Sequence, residues 1–416
     1  MSSPECRRNR GPRGRGRRLS LLSLLLTAII LTGPLSTTAS ARRPKASSSA
    51  LPAVPQGFVG VDIDGPMFAP NTTIDYQAQL QAMVGSGVQS VRVAFNWAAA
   101  QPYQSADEIP AAQASEFTNV GGQPTNFGLT DEIVGDAAMR RISVLPTIIY
   151  APSWDARRNP DGVDIPDRAQ PYAAYAAALV GRYGPHGSFW QAHPQIPRMP
   201  IRMWQIWNEP NIAYYWPQPF ARTYVPLLRL AHQAIKRADP RARVVLGALT
   251  NFAWRALGRI YLVPGARNSF DVVALNGFTK QPANVILYMQ YMRHAMGREH
   301  DARKPLLATE VSWPSAQGQT NQHFDFNTTQ AGQARDIAAV LPLIGANRVA
   351  LHLIGFYYYT WIGVEQRNAG AFSFAGLNRL NGDQVAAKPA LRAFTQGALA
   401  LEGCRAKGAS ATVCLH

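Results

Sequence analysis

Two glutamates interrupt apolar segments in this 416-residue chain. Glu209 follows the apolar run that starts at Met203 and contains two tryptophans, and Pro210 comes directly after it. Glu310 follows Leu306–Thr309 in the same way. A charged side chain in a buried strand needs a partner or a use, and functional groups collect where strands open into loops. We therefore take Glu209 and Glu310 as the candidate chemical centre.

Short apolar runs rich in strand-forming residues alternate with amphipathic stretches from Phe58 onward. The predicted strands are Phe58–Ile63, Ser90–Phe95, Ser143–Tyr150, Ile201–Trp207, Arg243–Leu249, Val272–Leu275, Leu306–Thr309 and Val349–Tyr359. The predicted helices between them include Thr73–Ser86, Thr130–Arg140, Pro171–Arg182, Tyr224–Ala238, Val285–His300 and Gln330–Leu343. This alternation predicts a single α/β domain over residues 57–400, a (β/α)8 TIM barrel. The alternative is an open doubly wound sheet, but no glycine-rich phosphate turn follows the first strand.

Polar or aromatic residues end each predicted strand, and the carboxyl ends of the strands form the active-site face of such a barrel. These residues are Asp62, Asp64, Asn96, Trp97, Trp154, Asp155, Asn208, Glu209, Asn251, Asn276, Glu310, Trp313 and Trp361. Because the fourth and seventh strands face each other across the barrel, Glu209 and Glu310 are expected to share one pocket. Neighbouring carboxyl groups can be kept in different protonation states by their surroundings. A pair of this kind across the scissile bond is what glycoside hydrolysis requires.

The pattern Trp207-Asn208-Glu209-Pro210-Asn211, followed three strands later by Thr309-Glu310, resembles glycoside hydrolase clan A. The flanking segments are most similar to families 39 and 5, and the resemblance covers most of residues 57–400. The segments that carry it are Val91-Arg92-Val93 with Trp97, Val144-Leu145-Pro146, Ala151–Trp154 and Lys388–Phe394.

The resemblance implies an O-glycosidase that retains anomeric configuration, with Glu209 as acid/base and Glu310 as nucleophile. It also implies that Asn208 binds the sugar 2-hydroxyl and that Trp361 lies under the reacting sugar. Elementary electrostatics agrees, because Arg92 would lower the pKa of Glu310 while apolar walls and a neighbouring charge would raise that of Glu209. The expected substrate is an oligosaccharide or polysaccharide, with no cofactor and no metal.

Further substrate contacts are expected from Trp97, Trp154 and Trp313, whose ring faces could stack on sugars, although core packing is the alternative for each. Asn276 is also a candidate binding residue. The chain departs from the family pattern there, since Asn276-Gly277-Phe278 replaces a His-x-Tyr motif. Tyr288 or Tyr261 is expected to supply the missing phenol, and a pocket that holds an unusual sugar is the alternative.

Strict strand alternation would send the side chains of Asn208 and Glu209 to opposite faces. Both can serve one pocket only if the backbone bulges or turns at the strand end, next to Pro210.

The first 41 residues have the layout of a secretory signal, namely seven arginines, an apolar run and a small-residue site at Ala39-Ser40-Ala41. A secreted or cell-surface protein is therefore expected, exported by the general or the twin-arginine route, with residues 42–56 as a linker. An uncleaved membrane anchor is the alternative. Cleavage would remove the seven arginines and one glutamate, and so lower the formal net charge from +16 to +10. The remaining basic residues are scattered, which does not indicate nucleic-acid binding.

Cys404 and Cys414 are expected to form a disulfide in a C-terminal tail over 401–416, and two free thiols are the alternative. For function, two other classes stay open. One is a catalytically impaired carbohydrate-binding barrel at the cell surface, and the other is a structural barrel with coincidental glutamates.

Overall fold

The computed structural model describes residues 53–63, 65–68, 72–366 and 368–416. The predicted signal segment, Asp64 and most of the predicted linker lie outside the described residues. Eight parallel strands, β1 to β8, are Val59–Asp62, Ser90–Asn96, Ser143–Ile149, Met203–Asn208, Arg243–Ala248, Val273–Asn276, Leu306–Val311 and Leu353–Tyr358. The helices that follow them in turn, α1 to α8, are Tyr76–Gly85, Gly128–Met139, Ala169–Tyr183, Ala221–Ala238, Ala253–Tyr261, Pro282–Arg298, Gln330–Asn347 and Pro389–Glu402.

The strands form a continuous sheet in which β1 pairs with both β2 and β8, in parallel register. Backbone bridges between Val245 and Val272 and between Leu249 and Leu275 join β5 to β6. These bridges close the sheet, so the predicted (β/α)8 barrel is confirmed. The open sheet is excluded because β5 and β6 would then form its two unpaired edges.

Apolar side chains from alternate strand positions fill the inside of the barrel, including Leu145, Val245 and Leu307. Tyr357 is buried among them, and its hydroxyl lies 2.7 Å from that of Ser90. Its ring crosses Gly60, where an added Cβ would lie 2.4 Å from the ring carbon Cδ1. Glycine at this strand position therefore leaves room for the tyrosine. The outer faces of the strands pack against the helices in the main hydrophobic core.

Smaller elements decorate both ends of the barrel. They include the helices Trp97–Ala100 and Ser188–Ala192. Three two-stranded sheets pair Thr118–Val120 with Gln123–Thr125, Ala156–Arg157 with Ile165–Pro166, and Ala406–Lys407 with Cys414–Leu415. A three-stranded sheet contains Ile362–Gly363, Asn378–Asn381 and Gln384–Ala387. Two elements differ most from expectation. The last barrel strand begins at Leu353 rather than Val349, because Val349 is 75% exposed in the turn after α7. The helix α5 was not among those predicted.

The C-terminal tail packs against the barrel instead of extending from it. The predicted Cys404–Cys414 disulfide is present and joins the two ends of the terminal hairpin. Ala411 is fully buried and donates its backbone N–H to the carbonyl of Arg140, at 2.9 Å. Packing also begins inside the predicted linker, where the N–H of Val54 bonds to α8. Within the described ranges, no helix is both long and apolar enough to cross a membrane.

Candidate active site

A cavity of about 580 Å³ opens at the carboxyl ends of the barrel strands. Both candidate glutamates line it, together with Arg92 and Asn208. The other lining residues are Asp62, Val93, Ala94, Thr147, Ile149, Tyr150, Tyr214, Tyr215, Phe278, Gln322, Phe324, Tyr359 and Phe372. The structure therefore brings together the four sequence-predicted residues on which the proposed chemistry depends.

Arg92, on β2, holds the floor of the pocket together. Its Nη1 donates to Asp62 at 2.5 Å and to Glu310 at 2.8 Å, and its Nη2 donates to the side-chain oxygen of Asn208 at 2.8 Å. Its Nε donates to Gln205 at 2.8 Å. Burial disfavours the charged guanidinium, but Asp62 and Glu310 outweigh it and raise the pKa of Arg92 above its usual value. Arg92 is therefore a permanent cation against Glu310.

The backbone at the end of β4 turns in the way that two adjacent inward-facing side chains require. Trp207 has φ +68° and Glu209 has φ +42°, a region that ordinary residues rarely adopt. The ring of Trp207 is buried against Tyr172 on the helix side, whereas Asn208 and Glu209 both line the pocket. This break in strand alternation confirms the predicted irregularity beside Pro210.

Glu209 has neutral polar neighbours. Asn276 donates from its Nδ2 to Glu209 Oε1 at 2.8 Å, while its Oδ1 accepts from the Thr309 hydroxyl at 2.8 Å. The second bond fixes which end of the amide faces Glu209. Burial first, and the charge of Glu310 second, raise the pKa of Glu209 to about 8, against smaller opposing effects from Asn276 and Arg92. Glu209 is therefore the carboxyl group that keeps its proton near neutral pH.

Asn276 was predicted to contact substrate, and the structure corrects that role. The residue is 1% exposed and does not line the pocket, because its amide is enclosed between Glu209 and Thr309. It positions a carboxyl group instead.

Neither Tyr288 nor Tyr261, the expected sources of a phenol, lines the pocket, whereas a third tyrosine does. Tyr261 donates to Asp301, and Tyr288 packs on Trp254. Tyr215, in the loop after β4, lines the pocket and hydrogen-bonds Asn208. Burial and then the charges of Glu209 and Glu310 raise the pKa of Tyr215, so it stays a neutral hydroxyl. Sequence analysis missed it because the position of a loop side chain follows no periodicity.

The tryptophans predicted to stack on sugars do not line the pocket. Trp97, Trp313 and Trp361 are each at most 1% exposed, and half-buried Trp154 packs edge-on against Trp97. Each indole N–H donates within the protein. Trp97 donates to Gln101 Oε1 and Trp154 to the Gln101 carbonyl. Trp313 donates to the Thr279 carbonyl and Trp361 to Gln79 Oε1. The four rings therefore favour the alternative of core packing over the predicted sugar-binding surface.

Other aromatic residues replace them around the pocket. Tyr359, directly after β8, occupies the strand-end position expected of Trp361, because the strand stops at Tyr358. Tyr150 and Tyr214 lie on the β3 and β4 side, and Phe278, Phe324 and Phe372 on the side of the β6, β7 and β8 loops. Tyr359 could have been found from the aromatic run at the end of β8. Phe324 and Phe372 lie in long loops and carry no comparable signal.

Several solved structures share this architecture. A family 39 glycoside hydrolase from the gut symbiont Bacteroides cellulosilyticus WH2 superposes with TM-score 0.58 and 16% identity, over 84% of this chain and 65% of its own. A family 39 β-xylosidase from Caulobacter crescentus superposes with TM-score 0.57 and 18% identity, over 82% of this chain and 71% of its own. The family 53 catalytic domain of Ignisphaera aggregans superposes with TM-score 0.52 and 19% identity, over 83% of this chain and 97% of its own.

The chain thus spans about two-thirds of the family 39 protein from Bacteroides. No protein-family model matches the sequence, and no curated protein matches it. At these identities the likeness concerns the fold. The chain has the barrel fold of clan A glycoside hydrolases, as the sequence motifs implied.

Proposed function

We propose that this protein is a glycoside hydrolase that retains anomeric configuration, with Glu310 as nucleophile and Glu209 as acid/base. The observation that carries the proposal is the unequal environment of two carboxyl groups in one pocket. Glu310 receives a hydrogen bond from the Arg92 guanidinium, whereas Glu209 receives one from the neutral amide of Asn276. A nucleophile must be ionised and a general acid protonated, and these surroundings favour that assignment.

In the first step, a carboxylate oxygen of Glu310 attacks the anomeric carbon while Glu209 gives its proton to the departing oxygen. The products are a glycosyl ester on Glu310 and a free alcohol. Burial is the largest cause of the raised pKa of Glu209 and the negative charge of Glu310 is the second, and esterification removes that charge. Glu209 then becomes a stronger acid, loses its proton and can accept one from water. Attack of that water on the anomeric carbon releases the sugar and restores both carboxyl groups.

The charge of the pocket floor suits this reaction. With Glu209 protonated, Asp62 and Glu310 oppose the single positive charge of Arg92. One net negative charge therefore faces the position at which the sugar becomes oxocarbenium-like, and such preorganised charge stabilises the transition state. Asn208 accepts from Arg92 through its oxygen, which leaves its amide N–H groups oriented for an oxygen of the sugar or of Tyr215.

The test is hydrolysis of 4-nitrophenyl glycosides by purified wild type, Glu310→Ala and Glu209→Ala, with β-xyloside first because a structural neighbour is a β-xylosidase. Glu310→Ala should lower kcat/KM roughly 10⁴-fold or more, since the residue forms the covalent intermediate. Azide should restore turnover of Glu310→Ala and give a glycosyl azide of inverted configuration. Glu132→Ala, at an exposed position on α2, is the matched control and should behave as wild type.

The pH profile gives an independent readout. Because Glu209 must be protonated, kcat/KM of the wild type should fall as pH rises through about 8. Glu209→Ala should lack this alkaline limb on 4-nitrophenyl substrates, whose leaving group needs little protonation. Wild-type turnover no greater than that of Glu310→Ala over the whole glycoside panel would reject the enzyme and favour a carbohydrate-binding barrel.

We also propose that the protein is exported. The arginine-rich segment, apolar run and small-residue site of residues 1–41 support this, as does the Cys404–Cys414 disulfide, since such bonds persist in oxidising compartments. The N-terminal sequence of the protein recovered outside the cytoplasm checks it. A start near Arg42 is expected, and an intact N-terminus in a membrane fraction would indicate an anchor instead.

A further inference from the structure

One side of the pocket is built from phenylalanines that the proposed chemistry does not use. We call Phe278, Phe324, Phe326 and Phe372 the apolar wall. Phe324 and Phe326 stack with ring centroids 4.9 Å apart, Phe278 lies 4.8 Å from Phe372, and Phe324 lies 5.6 Å from Phe372. Phe324 is 39% exposed, at the pocket opening. The rings form one continuous aromatic surface contributed by three different loops.

Polar bonds hold the segments behind the wall. Lys388 is buried, makes an ion pair with Glu365 at 2.7 Å and donates to the carbonyl of Phe374 at 2.9 Å. The side-chain oxygen of Gln322 accepts the N–H of Ala371 at 2.9 Å, which ties together the loops that carry Phe324 and Phe372. These bonds hold the wall in place before substrate arrives, so substrate binding loses little entropy through ordering of the wall.

The chemistry of the wall differs from that of the opposite side. Phenylalanine rings offer no hydrogen-bond group, whereas Thr147, Tyr150 and Tyr215 across the pocket carry hydroxyl groups. A sugar could stack its C–H face on these rings, but its hydroxyl groups would find no hydrogen-bond partner in the wall, which is costly when they are desolvated. A flat apolar ring has no such requirement and gains aromatic contact as well as burial. The wall is therefore complementary to a non-sugar part of the substrate.

The position of the wall indicates which part that is. Phe278 lies two residues after Asn276, whose amide donates to Glu209. In the proposed function, on which this inference rests, Glu209 gives its proton to the leaving-group oxygen, so the leaving group lies beside that carboxyl. We propose that the pocket takes glycosides whose leaving group carries a flat apolar ring, and that Phe278, Phe324 and Phe372 bind this ring.

The test compares benzyl and methyl glycosides of the same sugar, from the panel of β-xylosides, β-glucosides and α-L-arabinofuranosides. Benzyl alcohol and methanol have similar acidity, so the two substrates differ in the ring rather than in intrinsic leaving ability. Wild type should favour the benzyl glycoside by about 10- to 100-fold in kcat/KM, the range typical of a modest apolar group in a pocket. Phe324→Ala should reduce this ratio at least about fivefold.

Phe252→Ala is the matched control, because Phe252 is a 60% exposed phenylalanine that does not line the pocket. Its benzyl-to-methyl ratio should equal that of wild type. Equal wild-type rates on the two glycosides, or an unchanged ratio in both Phe324→Ala and Phe372→Ala, would overturn the inference while Glu310-dependent hydrolysis still upholds the proposed function. Loss of Glu310-dependent hydrolysis on every glycoside would overturn both.

Discussion

Buried ion pairs lie at both ends of this barrel, and their surroundings differ. The pocket-floor cluster, at the carboxyl ends of the strands, consists of Arg92, Asp62, Glu310, Asn208 and Gln205. The tail cluster, at the amino ends, consists of Gln89, Glu402 and Lys407. In the tail cluster Lys407 pairs closely with Glu402, and Gln89 donates to Glu402 at 2.6 Å. The side-chain oxygen of Gln89 accepts the N–H groups of Gly57 and Phe58.

The difference shows what separates an ion pair that stabilises the fold from one that takes part in the proposed reaction. The tail cluster balances one cation with one anion and is covered by the disulfide-closed hairpin. Burial raises the pKa of Glu402 even against Lys407 and Gln89, so a displaced pKa by itself would also mark this residue as functional. The pocket-floor cluster instead has two carboxylates for one cation and opens into a cavity. Unbalanced charge that faces a cavity is therefore the more informative feature.

Among the substitutions that test this comparison of the two clusters, Arg92→Gln is expected to change activity and stability the most. Without the guanidinium, Asp62 and Glu310 cannot both stay ionised in a buried site, and a protonated Glu310 is not a nucleophile. We expect kcat/KM on a cleaved glycoside to fall roughly 10³-fold or more, together with a loss of about 3–5 kcal/mol in the free energy of unfolding. Steady-state kinetics and urea unfolding measure the two effects. Activity within about twofold of wild type would show that Arg92 is structural.

Lys407→Gln breaks the corresponding pair at the other end. Loss of Lys407 leaves Glu402 buried without a cation, so the free energy of unfolding should fall by about 3–5 kcal/mol. Below the unfolding transition, kcat/KM should stay within about twofold of wild type because the tail cluster lies at the opposite end of the barrel. A fall in activity comparable to that of Arg92→Gln, in protein shown by circular dichroism to be folded, would remove the distinction between the clusters.

The smallest expected effect is the pH dependence of stability in Glu209→Gln. The pKa of Glu209 is about 8 in the folded protein, above its usual value of 4.5. Its contribution to stability is therefore fully present below about pH 4.5 and is lost as pH rises through about 8. Relative to wild type, Glu209→Gln should gain at least about 1.4 kcal/mol between pH 5 and pH 9, the equivalent of one pKa unit. Urea unfolding at several pH values measures this gain, and a constant difference would contradict it.

Much of the architecture could be predicted because it is periodic. The eight strands and six of the helices overlap the predicted segments, since inward and outward positions repeat along each element. Asn208 and Arg92 were also predicted, from the family resemblance, and so were Glu209 and Glu310, because polar groups in apolar strands need a reason to be there. Gln205 gave the same signal, as a polar residue within β4, and its contact with Arg92 could have been anticipated.

The sequence by itself determined which strand ends carry the carboxyl groups and that a closed barrel would bring them together. Only the tertiary structure decided which aromatic rings reach the pocket. Trp361 is buried while Tyr359 lines the cavity, because the end of β8 and the turn after it set where each ring points. Phe324 reaches the same cavity from a loop with no repeating pattern. Such positions depend on long-range packing, which local sequence periodicity does not specify.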